Sequence, residues 1–210
     1  MFEEMLLSAK QRLEGRDPEE LAKNSGVVFD AEKNLLVVKS LNEEIEIRLP
    51  EYSFVQEVEE WQQLVLLHYL DLGDGTPASE ELITFGNLKD GLIRGTKFDR
   101  TLVQGLEKFL KGKTEKELCT ICEELGGEQV KSNADICMKF DFLPNYPLWL
   151  KIWLADEEFE ASGKLLLSKS ADHYLTVEDA VIVGEIFLTK LHRQAVNKIM
   201  SVITSQMNRK

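Results

Sequence analysis

Apolar residues recur at helical spacing from the start of the chain. Phe2, Met5, Leu6, Ala9 and Leu13 form one stripe, which predicts an amphipathic helix ending at Gly15. Asp17, Pro18, Glu19 and Glu20 then supply a capping carboxylate, a proline at the first helical position and acids at the positive end of a helix dipole, so a second helix follows at once. Short strands are predicted over residues 26–30, 35–41 and 43–49. The last alternates Ile45, Ile47 and Leu49 with Glu44, Glu46 and Arg48, which gives it one wet face. Between residues 55 and 72, Val58, Trp61, Leu64, Val65, Leu67, Tyr69 and Leu70 leave little polar circumference, the mark of a helix buried on most sides.

Beyond a turn-rich loop at residues 73–77, the pattern predicts a strand over 81–88 and a helix over 99–110. Thr114 with Glu117 forms a capping box for a helix running to Leu125, where Gly126 and Gly127 stop it. Two strands are clearer. Ile136, Met138, Phe140 and Phe142 alternate with Asp135, Cys137, Lys139 and Asp141; Leu148, Leu150, Ile152 and Leu154 alternate with Trp149, Lys151 and Trp153. Residues 143–147 close them into an antiparallel hairpin, which a strand over 164–168 extends. Thr176 and Asp179 open a long C-terminal helix with the seam Val181, Gly184, Leu188, Leu191, Ala195, Ile199 and Val202, a break near His192 being one alternative. The fold class is therefore α+β: an antiparallel sheet centred on residues 135–154, covered by the helices that begin near Val55 and Val177, in a single domain spanning residues 1–210. The C-terminal seam packs on the parent sheet or on a second copy, so a homo-oligomer is an open alternative.

Charge narrows the partners. With 37 acidic and 25 basic side chains the net charge is -12, which repels a phosphate backbone and argues against nucleic acid. Asn208, Arg209 and Lys210 at the C-terminus do not offset it. No run approaches the roughly 20 apolar residues of a membrane span, and the opening residues mix Glu3, Glu4, Lys10 and Arg12 with apolar ones, so neither membrane insertion nor export is expected. Three cysteines, Cys119, Cys122 and Cys137, suit a reducing compartment, and the cytoplasm is the expected location.

Several residues carry candidate chemistry. Cys119 and Cys122 have the spacing of a metal or redox pair, but no second pair completes a four-ligand site, and their place beside Leu118 and Ile121 on a helix suits semi-buried packing cysteines. Of the three histidines, His68 sits on the apolar helix, whereas His173, between Asp172 and Tyr174 ahead of a helix start, is better placed as a general base or axial ligand. Asp156, Glu157, Glu158 and Glu160 follow a strand end and are either solvated turn acids or a cation or acid/base cluster. Trp149 and Trp153 share a strand face with Lys151 between them, either as core beneath a helix or as two rings for a flat ligand. No Walker loop, dinucleotide fingerprint or serine-hydrolase elbow is present.

The segment Leu143-Pro144-Asn145-Tyr146-Pro147, followed by Trp153 to Ala161, Ser170-Ala171-Asp172-His173-Tyr174-Leu175 and Glu178-Asp179, resembles domain-of-unknown-function family three-seven-eight-six of anaerobic bacteria and archaea. The resemblance implies a setting in anaerobic one-carbon or corrinoid metabolism, because some members resemble fusions to an iron-sulfur domain. This chain lacks such a cysteine-rich domain, so no cluster-binding role is carried over, and the family supplies no catalytic residues. The sequence thus favours a non-catalytic binding or accessory protein with a protein or small-molecule partner, working near Trp149, Trp153, Asp156, Glu158 and His173. The alternative is a small cofactor- or metal-dependent enzyme pairing His173 with Asp156 or Glu158. No cofactor and no metal ligand set is identified.

Overall fold

A computed structural model describes the backbone of residues 1–207, with side chains through Lys198 and those of Met200 and Thr204; the side chains of Ile199 and Val202 of the C-terminal seam, and the tail Asn208, Arg209 and Lys210, lie outside what is described. Helix α1 (Phe2–Leu13) precedes α2 (Pro18–Ser25), whose N-cap Asp17 accepts from the Glu19 N–H at 3.0 Å and whose C-cap Gly26 adopts a left-handed φ of 73°. Strands β1 (Val28–Asp30), β2 (Leu35–Ser40), β3 (Glu43–Arg48) and β4 (Ser53–Phe54) form one antiparallel sheet in chain order.

Helix α3 (Glu60–Leu72) begins later than its apolar run suggests, because Ser53 and Phe54 pair with β3 and the Glu59 side chain caps the helix through the Gln62 N–H. Strand β5 (Leu82–Ile83) and a 3-10 turn at Phe85–Asn87 replace the longer strand expected over 81–88. Helix α4 (Gly91–Leu110) starts eight residues before the expected position. Its first turn carries Leu92 and Ile93 in water, so periodicity gives no helical signal there, and Gly91 and Gly95 read as breakers. Both glycines serve contact instead: a Cβ on Gly95 would lie 2.0 Å from the Phe85 carbonyl oxygen. Asp99 accepts from the N–H groups of Phe85 and Gly86, fixing that turn to α4.

Helix α5 (Glu115–Glu124) has the Thr114/Glu117 capping box. Strands β6 (Gly127–Gln129), β7 (Ile136–Leu143), β8 (Tyr146–Trp153) and β9 (Ser162–Ser168) join β5 in a second antiparallel sheet, ordered β5-β9-β8-β7-β6. The one sheet expected from sequence is therefore two. They meet where the Leu41 N–H donates to the Asp141 carbonyl at 2.9 Å. Helix α6 (Val177–Met207) is continuous through His192, whose Nδ1 lies 2.8 Å from the Leu188 carbonyl oxygen one turn earlier.

The inner residues Ile136, Met138, Phe140, Leu148, Leu150, Ile152, Leu165 and Leu167 are buried, with Phe140 edge-on to Phe187 of α6 at 4.7 Å between ring centres. Helix α4, rather than α3, covers β9; α3 packs on α1, α2 and α6. Val181, Leu191 and Ala195 of the expected α6 seam are buried in the same hydrophobic cluster. The opposite face of β7 and β8 presents Lys139, Trp149, Lys151 and Trp153, each partly exposed, beside the buried Cys137 and Pro147.

Candidate functional site

A groove of about 950 Å³ forms where the start of α3, the edge of β3 and the exposed side of α6 converge. Its apolar floor comes from Ile45, Val58, Trp61, Ile182 and Ile186, with Met5 of α1 at one end. The sequence brings these together by periodicity: Ile45 is on the inward face of β3, while Ile182 and Ile186 lie four apart on α6, displaced from the seam that faces the sheet. Trp61 is half-exposed and meets Phe2 edge-on at 5.3 Å, so its indole borders both α1 and the groove.

Gln62 carries the polar signal. It is 95% buried against its 5% residual exposure, lines the groove, and its Nε2 has no hydrogen-bond partner among the described residues. A buried amide donor left unsatisfied costs about 1–3 kcal/mol, and Nε2 itself is closed off from the open part of the groove. The rim holds six acids against three bases. Glu43 pairs with Lys190 at 2.9 Å and Glu178 with Arg94 at 3.0 Å; of the other four acids Glu59 caps α3, and Glu44, Glu57 and Glu185 have no ion-pair partner among the described residues, with Arg193 the remaining base. The groove is thus apolar below and negative above.

None of the five sequence-predicted site residues lines this groove, and the structure does not bring them together. His173 stands after the end of β9 that pairs with Leu148, whereas Asp156 and Glu158 follow the far end of β8, where Trp153 opposes Ser162. A strand length, about 20 Å, separates them. The expected pairing of His173 with Asp156 or Glu158 is therefore absent. His173 Nδ1 is instead 2.7 Å from Asp74 Oδ2 and 3.2 Å from Thr76 Oγ1, tying the loop after α3 to the turn before α6. That contact, with bonds from Thr76, holds the Asp74 carboxyl down at about 2.

Asp156 accepts from the Glu158 and Phe159 N–H groups at 2.8 and 2.7 Å, and these bonds lower its pKa; it organises the β8–β9 turn. Glu158 is exposed. Trp149 lies on the open sheet face beside a smaller depression of about 590 Å³, and Trp153 lies on the same face outside it.

The remaining chemistry-bearing residues are held in the framework. His68 Nδ1 is 2.6 Å from Asp179 Oδ1, while Asp179 Oδ2 accepts from the Thr176 hydroxyl at 2.7 Å, so the capping box of α6 also anchors α3. Cys122 is buried and its thiol is pushed up to about 12; burial also raises Cys119. No cluster of three or more metal-ligating side chains occurs among the described residues. No described helix is long and apolar enough to cross a membrane.

A family model described as a domain of unknown function, DUF3786, matches residues 17–190, extending the likeness well upstream of the 143–179 segment. No curated protein and no solved structure matches the chain.

Proposed function

The chain belongs to the DUF3786 family, and we propose that it is a single-domain, non-catalytic binding or accessory protein that holds an amphipathic, basic segment of a partner protein in the groove between α3, β3 and α6. The observation that carries this reading is the apolar floor of Ile45, Val58, Trp61, Ile182 and Ile186 beneath a rim in which acids outnumber bases. A helix laid in the groove would place apolar side chains on Ile45, Trp61, Ile182 and Ile186. Its basic flanks would meet Glu44, Glu57 and Glu185. Binding suits the site better than catalysis: neither cavity is lined by a histidine, and the two imidazole–carboxylate contacts fasten elements of the fold.

The setting in anaerobic one-carbon or corrinoid metabolism belongs to this reading and rests on the resemblance of the 143–179 segment, while the cytoplasmic location rests on the three cysteines. A partner protein fits that setting better than a bound corrinoid here. Carriage would call for an imidazole or thiolate facing a ligand-sized cavity, and Cys137, at the smaller depression, is buried.

A short amphipathic peptide of leucine and lysine carrying a fluorescent label, titrated with the protein and followed by the peptide's anisotropy, tests the proposal. Saturable binding should weaken at least tenfold in the double variant Glu57→Lys, Glu185→Lys and disappear in Trp61→Ala. Equal binding of a lysine-only peptide of the same charge, or insensitivity to these variants, overturns it.

A further inference from the structure

The open face of the five-stranded sheet has a different character from the rest of the molecule. Lys139 on β7 and Leu166 on β9 lie directly across from Trp149 on β8, and Lys151 follows two residues along the same strand face. Loop residues 78–80 and 130–133 border the depression around the Trp149 ring. Its lining contains three lysines, Lys131, Lys139 and Lys151, and one acid, Glu80, in a chain whose net charge is -12.

These lysines are weakly engaged. Lys139 reaches Asp141 at 3.3 Å in an exposed pair, Lys151 donates to the neutral Asn133 at 3.0 Å, and Lys131 has no partner among the described residues. None of them lies over the Trp149 ring, which also lacks an aromatic neighbour among the described residues. A partly exposed indole face is thus bordered by ammonium groups free to turn toward a ligand.

We propose that this depression binds a mononucleotide: the base stacks on Trp149 and the phosphate is held by Lys131, Lys139 and Lys151. The ring supplies a face that any base can stack on, and the lysines supply charge where the protein otherwise repels anions. The overall negative charge disfavours a long polyanion, so a single nucleotide is the occupant that this face fits. The site is separate from the groove, because the two cavities share no lining residue.

The test follows the three indole N–H signals of Trp61, Trp149 and Trp153 by NMR, with Trp149→Phe giving the assignment, while AMP, adenosine, inorganic phosphate and a thymidine oligonucleotide are added in turn. AMP should shift the Trp149 signal saturably, leave Trp61 in place, and bind about tenfold more weakly in Lys151→Ala, equivalent to the loss of one phosphate contact of about 1.4 kcal/mol. Adenosine and phosphate should each bind at least tenfold more weakly than AMP. No Trp149 shift with AMP, equal affinity for adenosine, or tighter binding of the oligonucleotide overturns the proposal. So does a Trp149 signal that moves with protein concentration alone, which would mark the face as a contact between two copies.

Discussion

His68 and Asp179, 111 positions apart in the chain, meet at 2.6 Å between Nδ1 and Oδ1, and through this contact the last turns of α3 are fastened to the first turn of α6. The carboxylate accepts, so the proton sits on Nδ1. The other carboxylate oxygen accepts from the Thr176 hydroxyl. One buried side chain therefore caps one helix and orients another. Asp179→Ala removes the arm of the capping box that accepts from the Thr176 N–H and hydroxyl and strands the partly buried imidazole, so we expect a loss of about 2–4 kcal/mol in urea denaturation. A double-mutant cycle with His68→Ala should show the two losses to be strongly non-additive.

Asp74 provides a pH signature. Its pKa is lowered to about 2 by His173 and Thr76, so its contribution to stability is present above its usual value and is lost as pH falls through about 2. The difference in melting temperature between the native protein and Asp74→Asn should accordingly shrink between about pH 5 and pH 2. A difference that stays constant across that range would show that the carboxylate is not held by these bonds.

Gly95 should be intolerant of any side chain. An added Cβ would sit 2.0 Å from the Phe85 carbonyl oxygen and 2.4 Å from its carbon, both backbone atoms that cannot swing away. Gly95→Ala is expected to cost about 3 kcal/mol, whereas Leu92→Ala, one turn earlier and 80% exposed, should change stability by no more than about 0.5 kcal/mol. Thermal or chemical unfolding of the two variants side by side checks the contrast.

Cys119 and Cys122 should behave as packing residues. Burial raises both thiols, Cys122 to about 12, so the thiolate that reacts is scarce at neutral pH. Thiol labelling of the native protein should leave Cys122 unmodified until denaturant is added. Rapid native labelling of both would return the pair to redox chemistry.

Much of the secondary structure was legible because its determinants are local. The Thr114/Glu117 and Thr176/Asp179 boxes, Asp17 with Pro18, and the alternation along β7 and β8 each declare themselves within a few residues. What was not legible depends on distant partners. The early start of α4 is hidden because Gly91 and Gly95 face a turn, and Leu92 and Ile93 face water. The division into two sheets depends on how β2 meets β7, which neither strand's pattern encodes.

The site followed the same division. The shared face of Trp149, Lys151 and Trp153 came from period-two geometry, but the alternation could not say that these residues would stay partly exposed. The groove was missed because Ile45, Trp61 and Ile182 come from three separate elements. A second apolar stripe on α6, Ile182 and Ile186 beside the inner seam, was the one signal available for it.

The most direct test of the binding account is a proton–nitrogen NMR titration of the labelled protein with the leucine–lysine peptide, following the Gln62 side-chain amide and the Trp61 indole. The account predicts that both signals move together and saturate as the groove is covered, while Trp149 stays in place. Shifts scattered over the acidic surface, with Gln62 unmoved at saturation, would contradict it.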